Sequence, residues 1–88
     1  MRIMSYYVYI LQSLKTESYY TGSTQDISAR LERHNQGRSK ATKGKGPWQV
    51  VYSEQFETRE EAVNRETEIK DRKSKSYVEK LVRASRQA

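Results

Sequence analysis

Residues 6–11 read Tyr-Tyr-Val-Tyr-Ile-Leu, a run of aromatic and aliphatic side chains with no charged residue. An unbroken short run of this kind predicts a strand that is buried on both faces. Because successive side chains of a strand point to opposite faces, Tyr7, Tyr9 and Leu11 share one face and the other three residues share the opposite one. Cross-strand packing is enough to explain most tyrosines in such a run.

The core that can cover this strand is small. The chain has 88 residues, of which 34% are hydrophobic, against about 45–50% in typical globular domains. It contains no cysteine, which excludes a disulfide scaffold and a thiolate zinc site. No apolar run approaches the roughly 18–20 residues of a membrane span, and the start lacks the apolar segment of a signal peptide. We therefore predict one soluble, cytoplasmic domain over residues 1–88, without membrane association.

The segments after the first strand predict a hairpin and a short helix. Residues 13–18 are polar and form the turn, and the second strand starts at residue 19 and ends at Gly22. Asp26 is the predicted N-cap of a helix that Gly37 terminates. The inner face of this helix consists of Ile27, Leu31 and His34.

The rest of the chain predicts a third strand and two helices. Residues 38–47 contain two glycines and the only proline among lysines, so we expect an exposed loop. Residues 48–52 form the strand, and Thr58 with Glu61 is a capping-box pattern that begins a helix running to about residue 73. Ser74 or Ser76 caps the last helix, whose inner stripe consists of Tyr77, Val78, Leu81 and Ala84. The predicted fold class is α/β (α+β), a small three-stranded, mainly antiparallel sheet flanked by helices in the order β-β-α-β-α-α.

Positive charge is concentrated in two blocks. Seventeen Lys and Arg against eleven Asp and Glu give a net charge of +6, which indicates a polyanionic partner, most often nucleic acid. A lysine surplus that only keeps the protein soluble is the alternative, but blocks of one sign favour the first interpretation. One block runs from Arg33 to Lys45 without an acid, and the other contains Lys70, Arg72, Lys73 and Lys75.

A carboxylate lies on the inner face of the second helix. At 100° per residue, Ala62, Val63 and Ile69 fall within one arc, and Glu66 lies near its middle. Burying a carboxylate is costly unless it is paired, hydrogen-bonded or bound to a metal. Spacing alone leaves two interpretations open: a rim residue paired with a structural arginine, or a functional site.

The only histidine, His34, lies within the apolar arc of the first helix, and Arg30 lies one turn before it at the edge of the same face. A lone inward histidine is more often a satisfied core residue than a catalyst. An arginine at such an edge usually packs its stem on the core with its head in water. Neither residue alone distinguishes a site from a core.

Together, these residues resemble the signature of the GIY-YIG endonuclease superfamily. Its two triplets correspond to Tyr7-Val8-Tyr9 and Tyr20-Thr21-Gly22, with ten residues between them. The superfamily's helical arginine, followed four residues later by histidine, matches Arg30 and His34. Its single helical glutamate matches Glu66.

The resemblance covers about residues 5–83, and the segments KATKGKGPWQVVYSE and NRETEIKDRK look like a small stand-alone bacterial branch of the superfamily. Two positions depart from the usual signature: Tyr7 replaces a glycine, and Thr21 replaces an isoleucine or valine. Better-known members also carry a further DNA-binding or regulatory domain. We expect target choice here to come from the domain itself or from a protein partner.

The resemblance implies metal-assisted hydrolysis of a phosphodiester in nucleic acid, with DNA as the expected substrate. The implied cofactor is Mg²⁺ or Mn²⁺ held by Glu66, because one or two carboxylates with water and phosphate suffice for Mg²⁺; no small-molecule cofactor is expected. By family analogy Tyr9 activates water, Tyr20 places water or phosphate, and His34 assists proton transfer. Arg30 would neutralise charge in the transition state.

Three functions remain open from the sequence. The first is the endonuclease. The second is a non-catalytic nucleic-acid-binding module on a nuclease scaffold, motivated by the charge blocks and the altered triplets. The third is an adaptor that docks another protein through exposed aromatic residues. In the first two, the nucleic-acid backbone would be held by Lys40, Lys43, Lys45, Arg72 and Lys73.

Overall fold

The computed structural model describes residues 5–86, which form three strands and three helices. They are β1 (Tyr6–Ser13), β2 (Tyr19–Thr24), α1 (Ile27–Asn35), β3 (Trp48–Phe56), α2 (Arg59–Asp71) and α3 (Lys75–Arg86). The strands form one antiparallel sheet in the order β2-β1-β3. The predicted α+β class and element order are therefore confirmed. None of these three helices is long and apolar enough to cross a membrane.

β1 is the central strand and is covered on both faces, as its apolar run predicts. Four consecutive residues, Val8 to Leu11, are each at most 1% exposed. Val8 and Ile10 pack against residues of α2 and α3 on one face. Tyr9 and Leu11 pack beneath α1 on the other. Burying an aliphatic side chain of this size stabilises a fold by about 1.5–3 kcal/mol, so β1 supplies much of a small core.

Each helix begins at a capping residue that the sequence predicts. The side-chain oxygens of Asp26, Thr58 and Ser74 each accept a hydrogen bond from the backbone N–H three residues later, at 3.0, 3.2 and 3.1 Å. These bonds satisfy N–H groups that have no partner within the helix. Of the two candidate caps for α3, Ser74 is the one that performs this role.

Two strands are longer than the sequence pattern predicts. β2 does not end at Gly22 but continues to Thr24, because Gly22 pairs with Tyr9 in the ladder with β1. β3 continues past residue 52 to Phe56. Its last residues alternate between exposed and half-buried while they still pair with β1. Polar residues on an outer face do not end an antiparallel strand.

Two positions on the helices face solvent where the sequence pattern predicts burial. Val63 is 42% exposed, whereas Ala62 and Ile69, two turns apart, are buried. In α3, Ala84 is exposed and Val82 occupies the buried position instead. The helices contact the sheet through narrower faces than the apolar residues alone suggest.

The loop of residues 38–47 is exposed only in part. Its lysines face solvent, but Thr42 is 1% exposed. Two bonds fasten the loop to the sheet. The Ser13 hydroxyl donates to the carbonyl of Lys45 at 2.6 Å, and the Trp48 indole N–H donates to the carbonyl of Thr42 at 3.2 Å. These anchors explain why one side chain of a polar loop is buried.

A charged network fixes the orientation of α2. The Arg65 guanidinium donates to both carboxylate oxygens of Glu54 on β3, at 3.0–3.1 Å, and to the Tyr77 hydroxyl on α3 at 2.9 Å. These hydrogen bonds to Glu54 raise the pKa of Arg65. Because adjacent helical residues are about 100° apart, Glu66 is directed away from β3 and toward β2.

Candidate active site

The side chain of Tyr9 lies directly over Gly22 of the neighbouring strand. The two residues are paired in the ladder. A Cβ atom added to Gly22 would lie 2.5 Å from the Tyr9 hydroxyl oxygen and 2.7 Å from its Cζ. Only glycine leaves room for the ring, which is 1% exposed. The glycine of the second triplet therefore admits the tyrosine of the first.

We expect Gly22→Ala to displace Tyr9 and to lower the free energy of unfolding by about 1–3 kcal/mol, as overpacking a core does. Urea denaturation measures this change. In a Tyr9→Leu background the same substitution should cost much less, because the hydroxyl and Cζ that it strikes are gone. Equal costs in the two backgrounds would show that this contact is not the reason for glycine.

A buried chain of polar groups joins β1, α1 and the loop. The Tyr9 hydroxyl lies 3.0 Å from Nε2 of His34, and Nδ1 of His34 lies 2.7 Å from Oγ1 of Thr42. All three residues are at most 3% exposed. The lone inward histidine of the sequence is thus hydrogen-bonded at both ring nitrogens, one of them to a tyrosine of the first triplet.

Burial and neighbouring charges perturb both ends of the Tyr9–His34 contact. Burial raises the pKa of Tyr9 to about 12; Tyr20 and Glu66 act in the same direction, and Arg30 opposes them. Burial lowers the pKa of His34 below its usual 6.5, and the positive charges of Arg30 and Arg33 lower it further. At neutral pH the pair therefore consists of a neutral phenol beside a neutral imidazole.

Tyr20 and Arg30 lie around this pair. The Tyr20 ring centroid is 4.9 Å from that of His34 and 6.5 Å from that of Tyr9. Arg30 is exposed on α1, and its charge lowers the pKa values of both Tyr9 and His34. Arg30 also lines a cleft of about 270 Å³ together with Arg59. The carboxylate of Asp26 also lines this cleft, so its charged lining is two guanidinium groups and one carboxylate.

Glu66 approaches from the other side of β2, which is an edge strand. Its side chain is 19% exposed. Oε1 accepts a hydrogen bond from the Ser23 hydroxyl, and Oε2 accepts one from the Lys70 ammonium, both at 2.6 Å. Its partners are thus a hydroxyl and a lysine, not a structural arginine. The Lys70 ammonium also lies 5.6 Å from the Tyr20 ring centroid, so it connects Glu66 to the aromatic cluster.

The oxygen atoms around Glu66 fit a divalent cation that binds together with its substrate. Carboxylate and hydroxyl oxygens are suitable ligands for Mg²⁺ and Mn²⁺. Among residues 5–86, no three His, Asp or Glu side chains are grouped closely enough to hold a metal ion by themselves. A cation at Glu66 would need water and phosphate oxygens for the rest of its shell, and Lys70 would have to release Oε2.

A groove of about 470 Å³ runs along the free edge of β2. Tyr20 lies on its strand side, and Lys70, Lys73 and Lys75 line the side formed by α2 and the start of α3. No carboxylate is among the residues that line it. Of the five basic residues predicted to hold the nucleic-acid backbone, Lys73 is the one that lines this groove.

The other selected basic residues lie elsewhere. The Arg72 guanidinium stacks over the Tyr77 ring, 4.2 Å from its centroid, so it helps to fasten α3. Lys40, Lys43 and Lys45 are exposed on the loop that carries Thr42. They flank the histidine side of the site and are separate from the groove.

The altered triplet positions leave the aromatic cluster intact. Tyr7 is half-buried on β1, two residues before Tyr9. Val8 is fully buried in the core between the sheet and α2. Thr21 is 8% exposed and lines the groove. The departures from the usual signature therefore fall beside the polar chain and not on it.

Sequence reasoning missed three polar side chains that contact the site. Ser23 bonds to Glu66, 43 residues later, and Thr42 bonds to His34, 8 residues earlier. No periodicity in the sequence indicates either contact. Lys70 could have been assigned to Glu66, because residues four apart on a helix are neighbours.

Comparisons with known proteins show the family to which the chain is related. A family model described as the GIY-YIG catalytic domain matches residues 5–80. UPF0213 proteins of Staphylococcus aureus strains Mu3 and Mu50 are each 46% identical over 67 residues, which is 75% of this chain and 80% of theirs. The solution NMR structure of a UPF0213 protein from Bacillus halodurans superposes with a TM-score of 0.58 at 40% identity, covering 92% of this chain and 85% of that one.

Proposed function

The chain belongs to the GIY-YIG family, and on that premise we propose that it is a divalent-metal-dependent endonuclease that hydrolyses phosphodiester bonds in DNA. The observation that carries the proposal is the grouping of the signature residues around β2, on both faces of the strand. Tyr9, Tyr20 and His34 form one cluster, and Glu66 meets it from the other side of the strand through Lys70. A phosphate bound beside β2 would meet phenol, carboxylate and cationic groups.

We assign water activation to Tyr9 acting with His34. Tyr9 keeps its proton at neutral pH, since its pKa is raised to about 12. It can accept a proton from water only as it passes its own to Nε2 of His34, which lies 3.0 Å away and is neutral. The water oxygen bonds to phosphorus as its proton moves to the Tyr9 oxygen and the Tyr9 proton moves to Nε2 of His34. The bond from phosphorus to the leaving oxygen breaks, and that oxygen leaves as an alkoxide that takes a proton from solvent.

The remaining groups are assigned to charge and position. Arg30 would neutralise the phosphate as negative charge develops on it. Tyr20, between His34 and Lys70, would place the water or a phosphate oxygen. A divalent cation bound at Glu66 would supply charge stabilisation at the leaving oxygen.

Cleavage assays test this function. We expect nicking of supercoiled plasmid and cutting of end-labelled DNA with Mg²⁺ or Mn²⁺, and none with EDTA. RNA and single-stranded substrates of the same sequence define the preferred nucleic acid. Failure of the purified chain to cut any of these substrates with either metal would overturn the proposal.

The second candidate is a nucleic-acid-binding module without catalysis. The lysine-lined groove favours it, because this surface requires neither Glu66 nor a metal. This candidate predicts salt-dependent binding that persists unchanged in EDTA while all substrates stay intact. Metal-dependent cutting would eliminate it.

In both cases we expect Lys73→Gln with Lys75→Gln to weaken binding to a labelled oligonucleotide. Each phosphate contact contributes about 0.7–0.9 to the slope of log K against log salt concentration, so the double variant should lower that slope by about 1–2. Fluorescence anisotropy at several salt concentrations measures it. The matched control is Lys80→Gln, an exposed lysine on α3 that does not line the groove. An equal effect of the control would show that only net charge matters.

A further inference from the structure

Thr42 is a buried hydroxyl residue in an otherwise lysine-rich, exposed loop. Its side chain is 1% exposed, and its backbone is held on two sides. Its carbonyl accepts the Trp48 indole N–H at 3.2 Å, and its own N–H donates to the Ser39 carbonyl at 3.2 Å. A threonine fixed in this way offers its hydroxyl in one defined direction, toward Nδ1 of His34 at 2.7 Å.

The available protons determine which group donates in each hydrogen bond between Thr42, His34 and Tyr9. The Thr42 hydroxyl can donate to the Ser39 carbonyl, 3.4 Å away, which leaves its oxygen free to accept from His34. Nδ1 of His34 then carries the hydrogen, and Nε2 is left as an acceptor for the Tyr9 hydroxyl. In this arrangement all three protons have acceptors.

The reverse direction leaves the Tyr9 hydroxyl without an acceptor. If Thr42 donated to Nδ1, then Nε2 would carry the hydrogen and donate to the Tyr9 oxygen. The Tyr9 proton would then have no acceptor among the hydrogen bonds of residues 5–86, and Ser39 would lose the threonine hydroxyl. Buried polar groups are rarely left without partners, so the first direction is favoured.

We propose that Thr42 is a positioning residue that holds His34 in the Nδ1-protonated tautomer, so that Nε2 can take the Tyr9 proton. The catalytic half of this inference rests on the proposed nuclease function, whereas the tautomer does not. When Tyr9 takes a proton from water, its own proton moves to Nε2, and the resulting imidazolium keeps its Nδ1–H bond to the threonine oxygen. The hydrogen bond made by the far nitrogen thus determines which nitrogen is the base.

Nitrogen-15 NMR of labelled histidine tests the tautomer directly. His34 is the only histidine, so in a chain without an added tag the two ring-nitrogen signals need no residue assignment. Their different couplings to the two ring C–H protons distinguish Nδ1 from Nε2. We expect a protonated Nδ1 and an unprotonated Nε2 in the wild type at neutral pH. A protonated Nε2 would overturn the proposal, and this measurement needs no variant to fold.

Variants separate the hydroxyl from the shape of the side chain. Thr42→Val removes the acceptor, so we expect the Nε2-protonated tautomer to become populated and kcat to fall about 10–100-fold with KM little changed. Thr42→Ser keeps the hydroxyl and should restore both readouts. The charged and titratable groups that face His34, namely Tyr9, Tyr20, Arg30 and Arg33, are the same in all three proteins.

The two readouts separate failure of this inference from failure of the proposed function. A tautomer that shifts in Thr42→Val while kcat stays at the wild-type value would overturn the positioning role. A valine variant that keeps the wild-type tautomer would overturn the assignment to Thr42. Absence of cleavage by the wild type itself would instead count against the nuclease proposal, and the tautomer would still be read by NMR.

Discussion

Glu66→Gln is expected to reduce metal-dependent cleavage by about 10²–10³-fold, the scale seen when one preorganised electrostatic contact to a transition state is removed. Glutamine keeps the size of the side chain and can still accept the Ser23 hydrogen bond. Its amide is a poor ligand for a hard cation compared with a carboxylate. Loss of the partly exposed ion pair with Lys70 should change stability by no more than about 1 kcal/mol.

The matched control is Glu68→Gln on the same helix. Glu68 is 59% exposed and pairs with Arg65, on the side of α2 away from β2, so its cleavage rate should equal that of the wild type. Rates are compared at saturating Mg²⁺ and Mn²⁺. Broadening of Ser23 NMR signals by Mn²⁺ gives a second readout that needs no substrate. Equal rates for Glu66→Gln and the wild type would remove Glu66 from the metal site.

The parts of the fold that the sequence predicts well are those fixed by local interactions. The doubly buried strand follows from an apolar run, and the caps at Asp26, Thr58 and Ser74 follow from contacts within three residues. The predicted end of β2 is wrong, because Gly22 does not terminate the strand. Its actual role is steric and depends on Tyr9, thirteen positions earlier on a different strand.

The candidate site shows the same division. Glu66 and His34 are noticeable in the sequence because each is a polar residue on an apolar helical face, and the resemblance joins them to Tyr9 and Tyr20. Their partners depend on tertiary contacts. No pattern in a single sequence indicates that Ser23 meets Glu66 across 43 residues.

The sequence locates the basic segments, but it does not indicate which of their side chains share one surface. The second basic block lies where α2 ends and α3 begins, and the turn divides its members between two roles. Arg72 stacks on Tyr77, whereas Lys73 and Lys75 line the groove beside β2. The turn between α2 and α3 determines which of these basic residues line the groove. Composition does not indicate where the backbone turns.

Tyr9→Phe should have the largest effect on the chemical step itself. It removes one oxygen and keeps the ring that packs over Gly22, so we expect kcat to fall about 10²–10⁴-fold, the usual contribution of a positioned acid–base group, with KM little changed. The unpaired Nε2 of His34 should lower the free energy of unfolding by only about 1–3 kcal/mol. Single-turnover cleavage and urea denaturation measure the two effects.

The pH dependence distinguishes the proposed role of Tyr9 from simple positioning of substrate. Protonated His34 cannot accept the tyrosine proton, so wild-type cleavage should decline as the pH falls through the pKa of His34. That pKa lies below 6.5, because burial and the charges of Arg30 and Arg33 oppose the imidazolium. The residual activity of Tyr9→Phe should lack this decline, since the proton transfer that requires neutral His34 is gone.

Tyr52→Phe is the matched control for this substitution. Tyr52 is a half-buried tyrosine of β3 whose pKa is likewise raised to about 12, and its hydroxyl donates to Glu54 on the same strand. Removing it deletes a comparable hydrogen bond away from β2, so kcat and its pH profile should match those of the wild type. If both phenylalanine variants lost activity to the same extent, the loss would come from a disturbed sheet and not from the chemistry of Tyr9. A Tyr9→Phe enzyme with normal kcat would require another group to activate water.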